Sequence, residues 1–150
     1  MTKTVKPFKT WTDFLLLFLP MIVGYSCSMG CSIGKNTGSN VKFRPPAWFF
    51  GVIWPILFIL LGISWIYSVR ENKWNYLVYS LLISMLGLWI IIYGCVKSKK
   101  GGVWILVFTI CIAIIAMCTG NLSSRLCLAP LLAWAFFATL MNTSEVQESK

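Results

Sequence analysis

The sequence predicts an all-α integral membrane protein, a five-transmembrane-helix bundle that forms a single domain over residues 1–150. Hydrophobic residues make up 58% of the chain and charged residues only 11%, whereas about a quarter of the residues in a soluble domain are charged. The charges leave five long uncharged stretches, each near the roughly 20 residues that a helix needs to cross the hydrocarbon core. Because lipid cannot satisfy open backbone groups, each stretch is predicted to be helical. The stretches are 14–34, 45–69, 74–96, 101–124 and 126–144.

The first predicted helix covers residues 11–33. Lysines precede its first residue, Trp11, and a tryptophan beside basic residues is typical of a helix end at the lipid headgroups. The polar segment GKNTGSN, residues 34–40, is a loop by composition and ends the helix.

The second predicted helix covers residues 46–69 and begins with the run PPAWFFGVIWPILF. Pro45 and Pro46 suit the first helical turn, where the N–H that proline lacks has no partner in any case. Pro55 lies further inside, where it removes a backbone hydrogen bond and should kink the helix. In a membrane such a bend is tolerated where neighbouring helices cover it or a cavity adjoins it.

Short polar turns separate the next helices. RENK, residues 70–73, precedes the third helix, and KSKKGG, residues 97–102, precedes the fourth. Connections this short predict antiparallel neighbours and an up-and-down bundle. Small residues four apart, such as Ser80 and Ser84, indicate close helix approaches. The last three helices are predicted at residues 74–96, 102–121 and 126–143.

The net charge of +9 does not indicate a nucleic-acid partner. The lysines and arginines lie before the first span, in short loops and at span ends, which is typical of anchoring to membrane lipid. An odd number of helices places the two termini on opposite sides of the membrane. Because the basic residues divide almost equally between those sides, the orientation stays open.

Residues that usually carry chemistry inside a membrane are missing from the predicted spans. The chain has no histidine, and its four acidic residues lie outside or at the edge of a predicted helix. Ion-coupled transporters place ionisable groups within the bilayer, and acid–base catalysis needs a titratable group in a protected pocket. The sequence therefore disfavours pumps and hydrolases, and it predicts no metal site and no obligatory cofactor. The acidic residues are Asp13, Glu71, Glu145 and Glu148.

Aromatic side chains are abundant instead. Trp11, Trp48 and Trp74 fit an interfacial belt by position. Other aromatics form stripes at three- and four-residue spacing, which either face lipid or line a flat apolar pocket suited to a planar ligand. One stripe holds Trp54, Phe58, Leu61 and Trp65, and the other holds Pro130, Trp134, Ala138 and Met141.

Two motifs make the chain resemble a known family. PPAWFFGVIWPILF, residues 45–58, is similar to the second helix of the translocator protein family (TspO/MBR, the peripheral benzodiazepine receptor family), with a signature close to PPxWxxxxxWxxLY. APLLAWAFFATLMN, residues 129–142, resembles the family's fifth helix, roughly PYLxWxxFAxxLN. The resemblance implies a homodimeric membrane protein that binds tetrapyrroles (porphyrin or haem), sterols and benzodiazepine-type drugs among its helices, in transport or sensing. It leaves open whether the membrane is mitochondrial outer, other organellar or bacterial outer.

The resemblance also implies which residues contact the ligand. Trp54 and Trp134 correspond to tryptophans near a bound porphyrin, and they are the candidates for any catalytic role. Trp89 matches a family tryptophan in the third helix, and Pro130 and Asn142 match the fifth-helix motif. The full predicted ligand-binding set is Pro45, Pro46, Trp48, Phe50, Gly51, Ile53, Trp54, Phe58, Trp89, Trp134, Phe137, Ala138 and Met141.

The chain departs from the family pattern at several positions. Leu86 and Ile90 replace an Asn and a Pro of the third helix, and Leu131 replaces the aromatic residue after Pro130. The tail TSEVQESK lacks the Tyr and the basic residue of a sterol-recognition motif. We therefore expect cholesterol to bind weakly compared with porphyrin.

Three functions remain open on the sequence. The first is a receptor or binding protein for tetrapyrroles. The second is an enzyme in which tryptophans assist the light-driven, oxygen-dependent breakdown of a bound porphyrin. The third is a structural membrane subunit without a ligand, which would follow if the aromatic stripes faced lipid.

Overall fold

The computed structural model describes residues 11–30 and 41–148, and these residues form five long helices. All five are long and apolar enough to cross a membrane, so the predicted all-α bundle of five transmembrane helices is confirmed. The predicted end of the first helix, residue 33, lies outside the described residues. The helices are α1 (Trp11–Gly30), α2 (Ala47–Glu71), α3 (Asn75–Trp89), which continues as a π-helix over Ile90–Cys95, α4 (Lys99–Thr119) and α5 (Leu122–Glu148).

The fourth helix begins at Lys99, before the predicted start at residue 102. Ser98 caps this end, because its side-chain oxygen accepts a hydrogen bond from the Gly101 N–H at 3.2 Å. Lys97 has a φ of 59°, a left-handed backbone conformation that turns the chain from the π-helix into α4. The KSKKGG segment is therefore part turn and part helix.

The fifth helix is longer at both ends than the predicted range 126–143. At its start the Asn121 side chain accepts a hydrogen bond from the Ser124 N–H at 2.9 Å, which caps the first turn. At its end Glu145 is buried, and its spacing from Met141 places both on one helix face. The buried face thus continues past residue 143 and holds the last turns in place.

Around the bundle the helices follow the order α1, α2, α5, α4, α3, and α3 closes the ring on α1. α2 packs mainly on α1 and α5, whereas α3 packs mainly on α4 and α1. α2 and α3, which the short RENK turn predicts as neighbours, make a smaller contact. A short turn fixes the relative direction of two helices, but the apolar face of each helix decides where most of its packing goes.

Polar groups tie the helices together in the half of the bundle that contains the α2–α3 turn. The Asn75 amide donates to the Ser68 carbonyl at 2.9 Å and accepts from the Thr119 hydroxyl at 2.7 Å. The Ser64 hydroxyl donates to the Ser124 carbonyl at 2.7 Å. These bonds connect α2 with α3, α4 and α5. This half of the bundle is therefore held together by hydrogen bonds between helices.

The outer surface of the bundle is apolar. Every helix presents large apolar side chains to the outside, a surface that is stable in lipid and not in water. Together with five spanning helices, this makes the chain a multi-pass membrane protein. Examples, one from each helix in order, are Phe14, Ile56, Leu77, Phe108 and Leu140.

Candidate functional site

A pocket lies between α1, α2 and the junction of α3 with the π-helix. Its volume is about 160 Å³, and the empty space rises to about 620 Å³ when the open mouth is counted. Pockets for small molecules usually measure about 300–1,000 Å³. The open mouth therefore matters, because it lets part of a larger ligand extend beyond the walls.

The α2 wall is built from residues on one face of the helix. Phe50, Gly51, Trp54 and Phe58 line the pocket at three- and four-residue spacing. Pro55 also lines it, and its missing N–H leaves the Gly51 carbonyl without the hydrogen bond that residue 55 would ordinarily donate. This wall therefore offers aromatic surface and one backbone acceptor, and a cavity adjoins the proline inside the helix.

The α1 wall consists of Gly24, Tyr25 and Ser28, which sequence reasoning missed. A Cβ at position 24 would lie 2.3 Å from Cζ of Phe58, so the Phe58 ring fits against α1 because this residue is glycine. Tyr25 and Ser28 bring two hydroxyl groups, and the Ser28 hydroxyl donates to the Tyr25 carbonyl at 3.0 Å. Two hydroxyl side chains at helical spacing in an apolar helix were the signal that could have shown this wall.

Trp89 and Ile90 form the third wall, where α3 changes into the π-helix. The Trp89 and Trp54 ring centroids are 5.8 Å apart, with planes inclined by 32°. The Trp54 and Phe58 centroids are 5.5 Å apart, with an inclination of 31°. These rings form a row of gently inclined faces, a surface that suits a flat ligand.

A second aromatic group, the cover cluster, lies behind Trp54 on the side of α5. The Trp134 ring centroid is 5.7 Å from that of Phe50 and 6.2 Å from that of Trp54, in edge-to-face contacts. Phe50 and Trp54 therefore belong to both the pocket and the cover cluster. The cluster consists of Val41, Phe50 and Met141, with Trp54, Trp134 and Phe137 packed against them.

The segment 41–46 folds over the cover cluster before α2 begins. Phe43 meets Phe137 edge to face at 6.0 Å, and the Arg44 guanidinium lies 5.7 Å from the centroid of Phe50. Pro46 has φ −56° and ψ 149° and is the residue before the first helical turn. The two prolines thus direct this segment into α2.

Five of the predicted ligand-binding residues line the pocket: Phe50, Gly51, Trp54, Phe58 and Trp89.

Other predicted residues lie behind that lining. Trp134, Phe137 and Met141 belong to the cover cluster. Ala138 is in the same buried cluster as Trp89. Ile53 packs against the main core of the bundle. These residues support the pocket-lining side chains.

Three further residues of the predicted ligand-binding set, and Pro130 of the predicted α5 stripe, do not line the pocket. Trp48 is 66% exposed on the outer surface, as expected of a belt residue. Pro45 is half-buried and Pro46 exposed, and both precede α2. Pro130, on the predicted stripe of the fifth helix, faces outward.

Several buried polar atoms near the pocket have no hydrogen-bond partner in the described part of the chain. They are the indole N–H groups of Trp54, Trp89 and Trp134 and both amide atoms of Asn142. An unmet buried donor costs about 1–3 kcal/mol, and such groups in a native structure often mark a functional site. The tryptophan rings here are positioned by packing alone.

Glu145 lies near the end of the fifth span, Leu122–Gln147, as predicted, but its side chain is buried and not exposed at the helix end. This side chain is 1% exposed, and the Tyr93 hydroxyl donates to its two carboxylate oxygens at 2.7 and 2.6 Å. Gly102 of α4 leaves room for the Tyr93 and Asn142 side chains, since a Cβ at this position would lie 3.1 Å from the Tyr93 ring and 3.2 Å from the Asn142 amide nitrogen. A carboxyl group is therefore buried within the bundle, one stacked ring away from the pocket residue Trp89.

Comparison with known proteins gives two matches. The profile of the TspO/MBR family matches residues 14–146, a range that includes all three pocket walls and the cover cluster. The chain is also similar to Tryptophan-rich protein TspO of Archaeoglobus fulgidus, with 31% identity over 106 residues, which cover 67% of this chain and 69% of that protein.

Proposed function

The chain belongs to the TspO/MBR family, and on that premise we propose that it is a membrane receptor for a planar, largely apolar ligand of the tetrapyrrole class. The observation that carries the proposal is the row of inclined rings formed by Trp89, Trp54 and Phe58 along the pocket. A porphyrin or haem presents a wide flat face, and offset contact between aromatic faces is favourable.

The polar groups of the pocket suit the rest of such a ligand. Tyr25 and Ser28 place hydroxyl groups on the α1 wall, and the Gly51 carbonyl is short of a donor on the α2 wall. Pyrrole N–H groups and carboxyl substituents of a tetrapyrrole offer the matching donors and acceptors. A few polar groups in an apolar pocket are what usually fix a ligand's orientation.

A titration with protoporphyrin IX tests this proposal. Purified protein in detergent is titrated while tryptophan fluorescence and the porphyrin absorption band are followed. We expect saturable quenching with one affinity for both signals, and weak competition by cholesterol. Quenching that rises without saturation and equals that of a detergent-solubilised membrane protein of unrelated fold would overturn the proposal.

A second candidate function, light-driven oxidation of the bound porphyrin by molecular oxygen, is favoured by the position of Trp54. Its oxidisable ring lies in the pocket wall with Trp89 beside it and Trp134 behind it. The excited porphyrin takes an electron from an indole and passes it to oxygen, and the reduced oxygen species then attacks the porphyrin ring. The test is to illuminate the complex in air and follow the porphyrin absorption band. Bleaching no faster than in Trp54→Phe protein would reject this function and leave binding intact.

A further inference from the structure

A series of aromatic contacts leads from the pocket to the buried carboxyl group. Trp54 and Trp89 line the pocket with 5.8 Å between their ring centroids. Trp89 stacks in turn on Tyr93, with 5.2 Å between centroids and 16° between planes. The Tyr93 hydroxyl donates to Glu145 at 2.6 Å. Each ring contacts the next, and the hydroxyl of the last ring is hydrogen-bonded to the Glu145 carboxylate.

We propose that these four residues form a relay that oxidises Tyr93 when a photoexcited tetrapyrrole occupies the pocket. The relay rests on the proposed function, because the excited ligand is the oxidant. The excited ring takes one electron from Trp54 or Trp89. Tyr93 then transfers an electron to the oxidised tryptophan, and the phenolic proton of Tyr93 moves to the Glu145 carboxylate. The products are a tetrapyrrole radical anion, a neutral Tyr93 radical and a protonated Glu145. Return of the electron and the proton restores the starting state.

The hydrogen bonds determine where the relay ends. The indole N–H groups of Trp54 and Trp89 have no hydrogen-bond partner in the described chain, whereas the Tyr93 hydroxyl is already hydrogen-bonded to a carboxylate, so proton loss is easiest at Tyr93. A phenol becomes strongly acidic once it is oxidised. Tyr93 has a carboxylate oxygen at 2.6 Å, within the range of about 2.6–3.2 Å that direct proton transfer requires. Loss of this proton stabilises the neutral radical on Tyr93.

Burial supports the same assignment. Glu145 is 1% exposed and Tyr93 9% exposed, so bulk water has little access to the radical. The π-helix that ends the third span carries Tyr93, and π-helical turns are rare and occur frequently at functional sites.

The chain contains a matched control for the relay. Trp65 and Tyr79 are also stacked, with 6.0 Å between centroids and 13° between planes. The partner of the Tyr79 hydroxyl is the Ser64 hydroxyl at 2.7 Å, which is not a base. Neither Trp65 nor Tyr79 lines the pocket. We therefore expect no radical on Tyr79 after illumination.

Electron paramagnetic resonance after illumination of the frozen protoporphyrin IX complex tests the relay. Binding is first measured for each protein by the porphyrin absorption band. We expect a tyrosyl radical in the wild type and in Tyr79→Phe. Tyr93→Phe should lose it and show a tryptophan signal in its place, and Glu145→Gln should lose most of it. Labelling the wild type with ring-deuterated tyrosine should narrow the signal, which identifies the radical without any substitution.

The outcomes separate the relay from the proposed function. A wild-type complex that binds porphyrin but gives no tyrosyl radical overturns the relay and leaves the receptor function standing. A tyrosyl signal that persists in Tyr93→Phe also overturns the relay. Protein that binds no porphyrin overturns both, because the relay then has no oxidant.

Discussion

Trp54 belongs, with Phe50, to both the pocket and the cover cluster. Its ring centroid lies 5.5 Å from that of Phe58 on the pocket side and 6.2 Å from that of Trp134 on the α5 side. A change at Trp54 therefore removes part of the pocket wall itself. A change at Trp134 removes the support behind that wall.

The two tryptophans should differ in their effect on binding. Trp54→Ala should weaken porphyrin binding by about 1–3 kcal/mol, as for loss of other stacked aromatic contacts. Trp134→Ala should weaken it less, because its ring does not line the pocket. Trp11→Ala, which removes a side chain 87% exposed on the outer surface, is the control. The protoporphyrin titration measures all three, and equal losses in the three variants would show that the site is misplaced.

Residue spacing grouped aromatic residues on one face of a helix, but it left open whether that face meets lipid or the interior. Trp54 and Phe58 share a face as predicted, and in the structure that face lines the pocket. The same spacing grouped Trp134 and Met141 on one face of α5, and in the structure both belong to the cover cluster and do not line the pocket. The α1 wall, including Tyr25, was missed because the partner of an apolar helix depends on tertiary packing.

At the scale of elements, the α1–α2 crossing depends on one glycine. A Cβ at Gly62 would lie 2.3 Å from the backbone carbonyl oxygen of Leu17, so the two helices touch through their backbones at this point. Asp13 and Arg70 form an ion pair at 2.9 Å near the same end of the two helices. Together these contacts set the distance and register of the helices that carry two pocket walls.

Gly62→Ala should therefore destabilise the protein. The added methyl group meets backbone atoms that cannot turn aside, and overpacking of this kind costs about 1–3 kcal/mol. Thermal unfolding in detergent measures the loss. Gly51→Ala is the matched control on the same helix, because a Cβ at Gly51 has no atom of the described chain within 4 Å. Equal melting temperatures for Gly62→Ala and Gly51→Ala would contradict the proposed close crossing.

The long uncharged stretches predicted all five helices, since a span must be apolar over its whole length. Helix ends were predicted less well, because side chains such as Ser98 and Asn121 cap them locally. Ser80 and Ser84 were expected at a helix contact, but both are exposed and donate to carbonyls of their own helix. Close approaches occur at glycines instead, where the backbone itself is the contact surface.

In the whole molecule, the two halves of the bundle differ in what holds them together and in where the pocket lies. One half is held by hydrogen bonds that join α2, α3 and α4 through Asn75. The other half holds the pocket and the cover cluster. Interhelical hydrogen bonds in membranes contribute about 0.6–2 kcal/mol each. A fixed half of this kind allows the other half to admit a ligand while the bundle stays assembled.

The five spans also predict the topology of the chain. The described residues contain five helices long and apolar enough to cross a membrane, and an odd number of crossings should place residues before α1 and residues after α5 on opposite sides. Reporter fusions at the two ends, each active on one side of the membrane, measure this. Two fusions reporting the same side would contradict the five-span arrangement.

Gly51 lines the proposed ligand pocket, whose occupation by the ligand is the central claim. A Cβ at Gly51 would have no atom of the described chain within 4 Å, so a leucine can begin there without a backbone clash and enlarge the pocket wall. The most direct measurement is a protoporphyrin titration of Gly51→Leu beside Val52→Leu, which enlarges the neighbouring outward-facing residue. We predict that Gly51→Leu folds normally and loses affinity by about tenfold or more, about 1.4 kcal/mol, while Val52→Leu binds as the wild type does. Unchanged binding by well-folded Gly51→Leu would show that the ligand does not occupy this pocket.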